Sequence, residues 1–183
     1  MPHVEMTREI ARRFNFLYKP IFPEPEALLT EIPKLTGTDG RKMSKSYGNC
    51  IYLSDPPDVM AKKVRQMTTD TQRPYKKDPG EPDRCLAFPF HRLNLPTERL
   101  EEITTECRNA KLGCVDCKKL LAEALLENLA PIQERRRYFE SHPDEVLDVL
   151  HQGNDLARQQ ARRTIAEVRD AVGFNQKFQL WGL

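Results

Sequence analysis

Residues 113–136, GCVDCKKLLAEALLENLAPIQERR, decide how this chain folds. Leu121, Leu125, Leu129 and Ile132 recur at spacings of three and four, which places them on one face of an α-helix. The pattern predicts a long helix from Val115 to Phe139, kinked at Pro131, because proline removes one backbone hydrogen bond and crowds the preceding turn. A helix with one apolar face needs neighbours to cover it.

Those neighbours are legible on both sides. Ser54 or Asp55 ahead of Pro56 and Pro57 reads as a helix start, with Val59, Met60, Val64 and Met67 as the buried stripe. Thr97 reads as the cap of a second helix that turns Leu100, Ile103 and Cys107 inward. After the long helix, Pro143 to Gln152 is expected to form a short helix ending near Gly153. Asn154 would then cap a last one, with Ala157, Ala161, Ile165, Val168 and Val172 inward and Gly173 as its stop. Between these elements, residues 68–84 are polar with three prolines and a glycine, and read as a loop.

Towards the N-terminus, Ile10, Ala11, Phe14, Leu17 and Tyr18 predict an amphipathic helix from Val4 to Tyr18. The segment KPIFPEPEALLTEIPKL (19–35) has four prolines within fourteen residues and should be extended and irregular. CIYL (50–53) is a short β-prone run. The fold class expected is mainly α: a helical bundle, preceded by a stretch without a core of its own. The tail FNQKFQLWGL (174–183) shows no clear period.

Composition narrows the function classes. The chain has 183 residues, 39% hydrophobic and 31% charged, which suits a globular helical protein. No apolar run approaches the roughly 20 residues of a membrane span, and no basic-then-apolar signal peptide opens the sequence. A net charge of +2 does not by itself announce a nucleic-acid binder. Five cysteines with no export signal point to a reducing, cytoplasmic setting, where a cysteine cluster is more often a metal site than a disulfide framework.

Four of those cysteines, Cys85, Cys107, Cys114 and Cys117, are spaced C-x21-C-x6-C-x2-C. Four thiolates can complete a tetrahedral zinc site or hold an iron–sulfur cluster. Zinc sites usually use two close pairs and only one is present, which favours the cluster. Cys50 lies outside the set and reads as a packing residue. His3, His91, His142 and His151 read as ordinary surface or packing histidines.

The stretch DGRKMSKSYGN (39–49) puts Lys42 and Lys45 three apart among serines and glycines. Such a loop can close on a polyphosphate, its ammonium groups acting as mobile charges and its hydroxyls and N–H groups as donors. A cation that meets the leaving pyrophosphate only in the transition state lowers the barrier. By charge alone, a solvated basic turn is the better explanation.

The literal strings go further. KMSKS (42–46) is the signature loop of class I aminoacyl-tRNA synthetases. HVEMTREIARRFN, FPEPEALL, GRKMSKSYGN, DPPDVMAKKVRQMTTDTQ, DPGEPDRC and the 113–136 stretch, in this order, resemble the bacterial tryptophanyl-tRNA synthetases from His3 to about Gly173. The resemblance implies tryptophan activation by ATP with Mg2+ and charging of the tryptophan tRNA. Lys42 and Lys45 would hold the phosphates, Met43 and Ser44 would add backbone and hydroxyl contacts, and Ser46 would support the closed form. It also implies a [4Fe-4S] cluster on the four cysteines, as in a subset of the family, with zinc as the alternative, and a homodimeric parent enzyme.

The family's other signature, a histidine- and glycine-containing motif of the nucleotide fold, is not among these residues. The chain is therefore expected to be the C-terminal half of such an enzyme. Residues 1–53 would be the tail end of a class I nucleotide-binding α/β domain, carrying the loop at 39–49. Residues 54–173 would be a helical anticodon-binding domain, and 174–183 a tail. Alone, the fragment should not activate tryptophan, and its lysine loop should be disordered. Arg135, Arg136 and Arg137, the later Arg158, Arg162, Arg163 and Arg169, and Lys118 with Lys119 form a candidate surface for tRNA phosphates. The alternative is a non-catalytic RNA-binding or metal-stabilised interaction module derived from the same ancestor.

Overall fold

The computed structural model describes residues 2–30, 32 and 34–174. Six α-helices account for most of it: α1 (Pro2–Leu17), α2 (Pro57–Gln66), α3 (Phe88–Asn94), α4 (Thr97–Arg108), α5 (Cys114–Ser141) and α6 (Pro143–Ala171). Among the described residues there is no strand, only one isolated antiparallel bridge between Thr36 and Lys42. The expected tail at 174–183 lies outside the described residues except for Phe174.

The chain divides into two compact units, Thr30–Ser141 and a second made of Met1–Leu29 with His142–Leu183. The first holds the principal core. α2 and α3 both pack on α5, burying Met60, Val64, Met67, Ala87, Phe90, Leu121, Ala122, Leu125 and Leu129 together. Removing a side chain such as Leu121 from water contributes about 1.5–3 kcal/mol, so the leucine stripe is the main cohesive force of this unit. The stripe ends at Leu129. Ile132, one residue beyond Pro131, is 47% exposed, so it does not join the buried face as its spacing suggests.

The start of α2 differs from the expected cap. Neither Ser54 nor Asp55 caps it by side chain; Pro56 occupies the cap position. Asp55 instead accepts the Tyr52 N–H at 2.8 Å and pairs with Lys63 at 2.6 Å, while its own N–H donates to the Tyr52 carbonyl. This turn takes the place of the β-prone run at CIYL. Gln133 on α5 closes it by donating to the carbonyls of Leu53 and Asp55. Likewise α4 has Pro96 rather than Thr97 at its cap position. Residues 68–84 form the expected loop, apart from a single 3₁₀ turn at Pro82–Arg84.

In the second unit, α1 forms as a helix, but its apolar stripe is not covered: Ala11 is its one buried residue, and Ile10 and Leu17 are exposed. The Asn15 side chain accepts the N–H groups of Ile21 and Phe22 and donates to the Phe22 carbonyl, turning the chain back, and Arg8 donates to the Pro25 carbonyl. Two helices are expected between 143 and 172, but α6 is one unbroken helix. Gly153 sits inside it with open space where a Cβ would be. A glycine costs about 1 kcal/mol there, less than orphaning the backbone groups of two new helix ends. The expected inward stripe is not buried either: among the described residues no side chain of α6 is buried, and Ile165 is 46% exposed. Gly173 does end the helix, at a φ of 76°.

Candidate functional site

The first unit carries two candidate sites, a lysine turn and a thiol pocket. The turn is built around Asn49, which is 3% exposed. Its Oδ1 accepts the Ser44 N–H at 2.9 Å, and its Nδ2 donates to Asp39 Oδ1 at 2.8 Å and to the Lys42 carbonyl at 3.1 Å. The backbone of Asn49 accepts from Thr38 N–H, and Gly37 donates to the Arg41 carbonyl. Gly37 has to be glycine, because a Cβ there would lie 2.2 Å from Asn49 Nδ2.

The loop expected to be disordered is thus a closed turn. It also rests on the core. Met43 packs against the buried cluster with Leu35 and Ile51, and Thr68 N–H donates to the Thr38 carbonyl. Lys45 opens a 3₁₀ turn that ends at Gly48 in the left-handed region, at a φ of 64°. Lys42, Lys45 and Ser46 are exposed and Ser44 half-buried, with the hydroxyls of Ser44 and Ser46 2.8 Å apart. The result is a hydrogen-bonded base presenting two ammonium groups to solvent. The Asn49 amide is the main influence holding the Asp39 carboxyl down at about 2, with Arg41 adding to it against partial desolvation.

Cys85, Cys107, Cys114 and Cys117 all line one small cavity with Thr69, Arg73, Ala87, Leu112 and Lys118, of about 20 Å3, room for roughly one water. Three segments deliver them. Cys85 follows the 3₁₀ turn at Pro82–Arg84, Cys107 lies in the last turn of α4, and Cys114 and Cys117 are in the first turn of α5. Gly80 donates its N–H to the Cys107 carbonyl, and a Cβ at Gly80 would lie 2.5 Å from Cys107 Sγ, so the loop approaches as closely as backbone can. All four are free thiols. Burial pushes Cys117 up to about 12, the three neighbouring sulfurs adding to the effect, and raises Cys107 as well, with Arg73 opposing. Among the described residues no three His, Cys, Asp or Glu side chains converge closely enough to hold a metal ion. The thiols surround a cavity and do not close on a point.

Arg73 escapes the sequence reading, and so does the contact of His91 with a sulfur. Arg73 is buried, with one terminal nitrogen 3.6 Å from Cys107 Sγ and 3.8 Å from Cys114 Sγ, and the other donating to the carbonyls of Lys76 and Leu112. His91, read as a packing residue, is fully buried with Nε2 3.2 Å from Cys117 Sγ. Burial holds its imidazolium pKa down at about 4. Arg73 Nε and His91 Nδ1 are both buried without a hydrogen-bond partner. Cys50, by contrast, is the buried packing residue expected.

The basic residues sort themselves. Lys118 is not part of an open surface: its ammonium donates to the carbonyls of Arg65 and Met67 at the end of α2. Arg136, Arg158 and Arg163 pair within their own helices with Glu140, Asp155 and Glu167. Arg135, Arg137, Arg162, Arg169 and Lys119 are exposed.

Comparison with known proteins decides the family. The family described as tRNA synthetases class I (W and Y) matches residues 1–130. The chain belongs to it. Within these class I synthetases, a tryptophan–tRNA ligase of Aquifex aeolicus is 51% identical over 173 residues, covering 94% of this chain and 44% of that protein. One from Thermotoga maritima is 46% identical, covering 93% of this chain and 52% of its own length. The tryptophanyl-tRNA synthetase of Campylobacter jejuni, solved with ADP and tryptophan, aligns over 93% of this chain and 53% of its own with a TM-score of 0.73 at 27% identity. The chain therefore spans about half the length of the curated relatives it matches. No described helix is long and apolar enough to cross a membrane.

Proposed function

We propose that this chain is the C-terminal part of a cytoplasmic, homodimeric tryptophan–tRNA ligase, in which residues 39–49 close over ATP and the helical region binds the anticodon end of the tryptophan tRNA. The observation that carries this reading is the Asn49 turn, which presents Lys42 and Lys45 to solvent on a base anchored by Met43. The relatives at 51% and 46% identity are tryptophan–tRNA ligases, and the Campylobacter relative was solved with ADP and tryptophan. Residues 1–53 then complete a class I nucleotide-binding domain and 54–173 form the anticodon-binding bundle.

In this reading tryptophan's carboxylate attacks the α-phosphate of Mg2+-bound ATP, forming tryptophanyl-adenylate and releasing pyrophosphate. Lys42 and Lys45 offset charge on the departing pyrophosphate, Met43 and Ser44 contribute contacts from the turn, and Ser46 supports the closed loop. In the longer protein carrying this sequence, Lys45→Ala lowers tryptophan-dependent ATP–pyrophosphate exchange about 100-fold with little change in tryptophan binding. An unchanged exchange rate would refute the role. The isolated chain binds the tryptophan tRNA, through Arg135, Arg137, Arg162, Arg169 and Lys119 among others, but fails the exchange assay. Exchange by the chain alone would contradict the division of labour, and affinity insensitive to salt would contradict phosphate contacts.

We propose further that Cys85, Cys107, Cys114 and Cys117, which line one cavity, hold a [4Fe-4S] cluster. In support are the four-thiol donor set, the close approach of Gly80 and the buried guanidinium facing two sulfurs. When bound, the cluster would cross-link three segments without joining the reaction, since adenylation and aminoacyl transfer move no electrons. Iron, sulfide and zinc analysis of anaerobically prepared protein tests this; colourless protein with stoichiometric zinc would replace the cluster with the zinc alternative.

A further inference from the structure

We infer that Arg73 is the resident counter-cation of the four-cysteine pocket, a positioning residue whose fixed charge favours an anionic thiolate-ligated cluster there and raises its reduction potential. The inference rests on the cluster reading above. Arg73 is 7% exposed, and among the described residues it forms no ion pair with a carboxylate. The nearest acidic residue in sequence, Asp70, gives its carboxylate to Arg84 at 3.0 Å.

Two carbonyls, of Lys76 and Leu112, fix the guanidinium in orientation but cannot neutralise it. The remaining groups in reach are Cys107 Sγ at 3.6 Å and Cys114 Sγ at 3.8 Å, and Nε has no partner at all. Burying a guanidinium without an anion is unfavourable, and neutral thiols do not offset that. Thiolates and the sulfides of a cluster do. The arrangement is therefore balanced only when the pocket is anionic. Gly80 preserves it, because a Cβ there would also lie 3.0 Å from the Arg73 terminal nitrogen. Reduction adds one electron to the cluster, so a cation held at this distance stabilises the reduced form more than the oxidised one.

The test uses the full chain reconstituted anaerobically with ferrous iron and sulfide, comparing wild type, Arg73→Gln and Arg73→Lys, each checked for helical circular dichroism. Arg73→Gln is expected to lose iron to a chelator about 10-fold faster or more, and the cluster that remains titrates with dithionite at a more negative potential. Arg73→Lys keeps the charge, so its iron content and potential stay closer to wild type than those of Arg73→Gln. A folded Arg73→Gln protein with wild-type retention and potential overturns the inference while leaving the cluster reading intact. If Arg73→Gln does not fold, the lysine variant decides: a folded Arg73→Lys protein that holds no cluster overturns the role of charge. Wild type that takes up no iron overturns both the inference and the reading beneath it.

Discussion

The side chain of Asn49 accepts the backbone N–H of Ser44 at 2.9 Å while its amide nitrogen donates to Asp39 at 2.8 Å, so one buried residue ties both flanks of the lysine turn together. A segment with two exposed lysines would otherwise sample many conformations, and fixing each residue costs about 1–2 kcal/mol. A single amide with one acceptor and two donated bonds offsets part of that cost at the place where the lysines leave the turn.

Asn49→Ala leaves the Ser44 N–H and the Lys42 carbonyl without their partner, and is expected to destabilise the turn by about 1–3 kcal/mol. Hydrogen exchange should show the Ser44 amide losing protection while the amides of α5 keep theirs. Equal protection of Ser44 in the variant would mean the turn is held by its packing on Met43 alone.

The Asp39 carboxyl titrates at about 2 in the folded chain, below the ordinary carboxylate range of about 3.9, chiefly because of the Asn49 amide. Since the folded value is the lower one, the unfolded state takes up the proton first as pH falls. The contribution of Asp39 to the turn is therefore complete above about pH 4 and lost as pH drops through about 2. Carboxyl chemical shifts followed by NMR between pH 5 and 2 check this, and Asn49→Ala should move the Asp39 midpoint upwards. A midpoint near 4 in the wild type would disprove the contact.

Lys118 donates to the carbonyls of Arg65 and Met67 at 2.9 and 2.6 Å, where the last turn of α2 has no intrahelical partners and the helix dipole is negative. Lys118→Met keeps the apolar stem and removes the charge, and should lower stability by about 1–2 kcal/mol, read as a shift in urea midpoint with an unchanged slope. Lys119→Met, on the exposed side of the same helix, should stay within about 0.5 kcal/mol of wild type. If the two variants behave alike, Lys118 is a surface residue after all.

Periodicity made most of the helical architecture legible, because leucines at three and four must share a face and a shared face must be covered. The leucine stripe Leu121, Leu125 and Leu129 and the stripe Met60, Val64 and Met67 meet in one core as their spacing implies. The same logic overreached in α6, where apolar spacing is present but no described side chain is buried. Spacing states which residues could be covered together; it does not state that anything covers them. Gly153 misled for a related reason, since a glycine signals a helix end only when the next segment gains more by leaving the helix than by continuing it.

The cysteine set was visible as a spacing, and KMSKS as a literal string. Arg73 was not. It lies 34 residues from Cys107 and 41 from Cys114, in a polar loop where an arginine is ordinarily solvated. Asn49 and Gly37 were hidden in the same way, as ordinary turn residues. Their roles come from atoms that approach only after the loop has closed.

By itself, then, the sequence determined what is encoded in local period and residue type: the helices that the leucine and methionine stripes require, four thiols with soft-metal chemistry, and two lysines on a glycine-flanked loop. Tertiary structure alone decided how these features are held and what surrounds them. Packing on the α2–α5 core turned a mobile-looking loop into a latched turn, and brought a distant arginine against two sulfurs, because burial removes the water that would otherwise have satisfied both the amide and the charge.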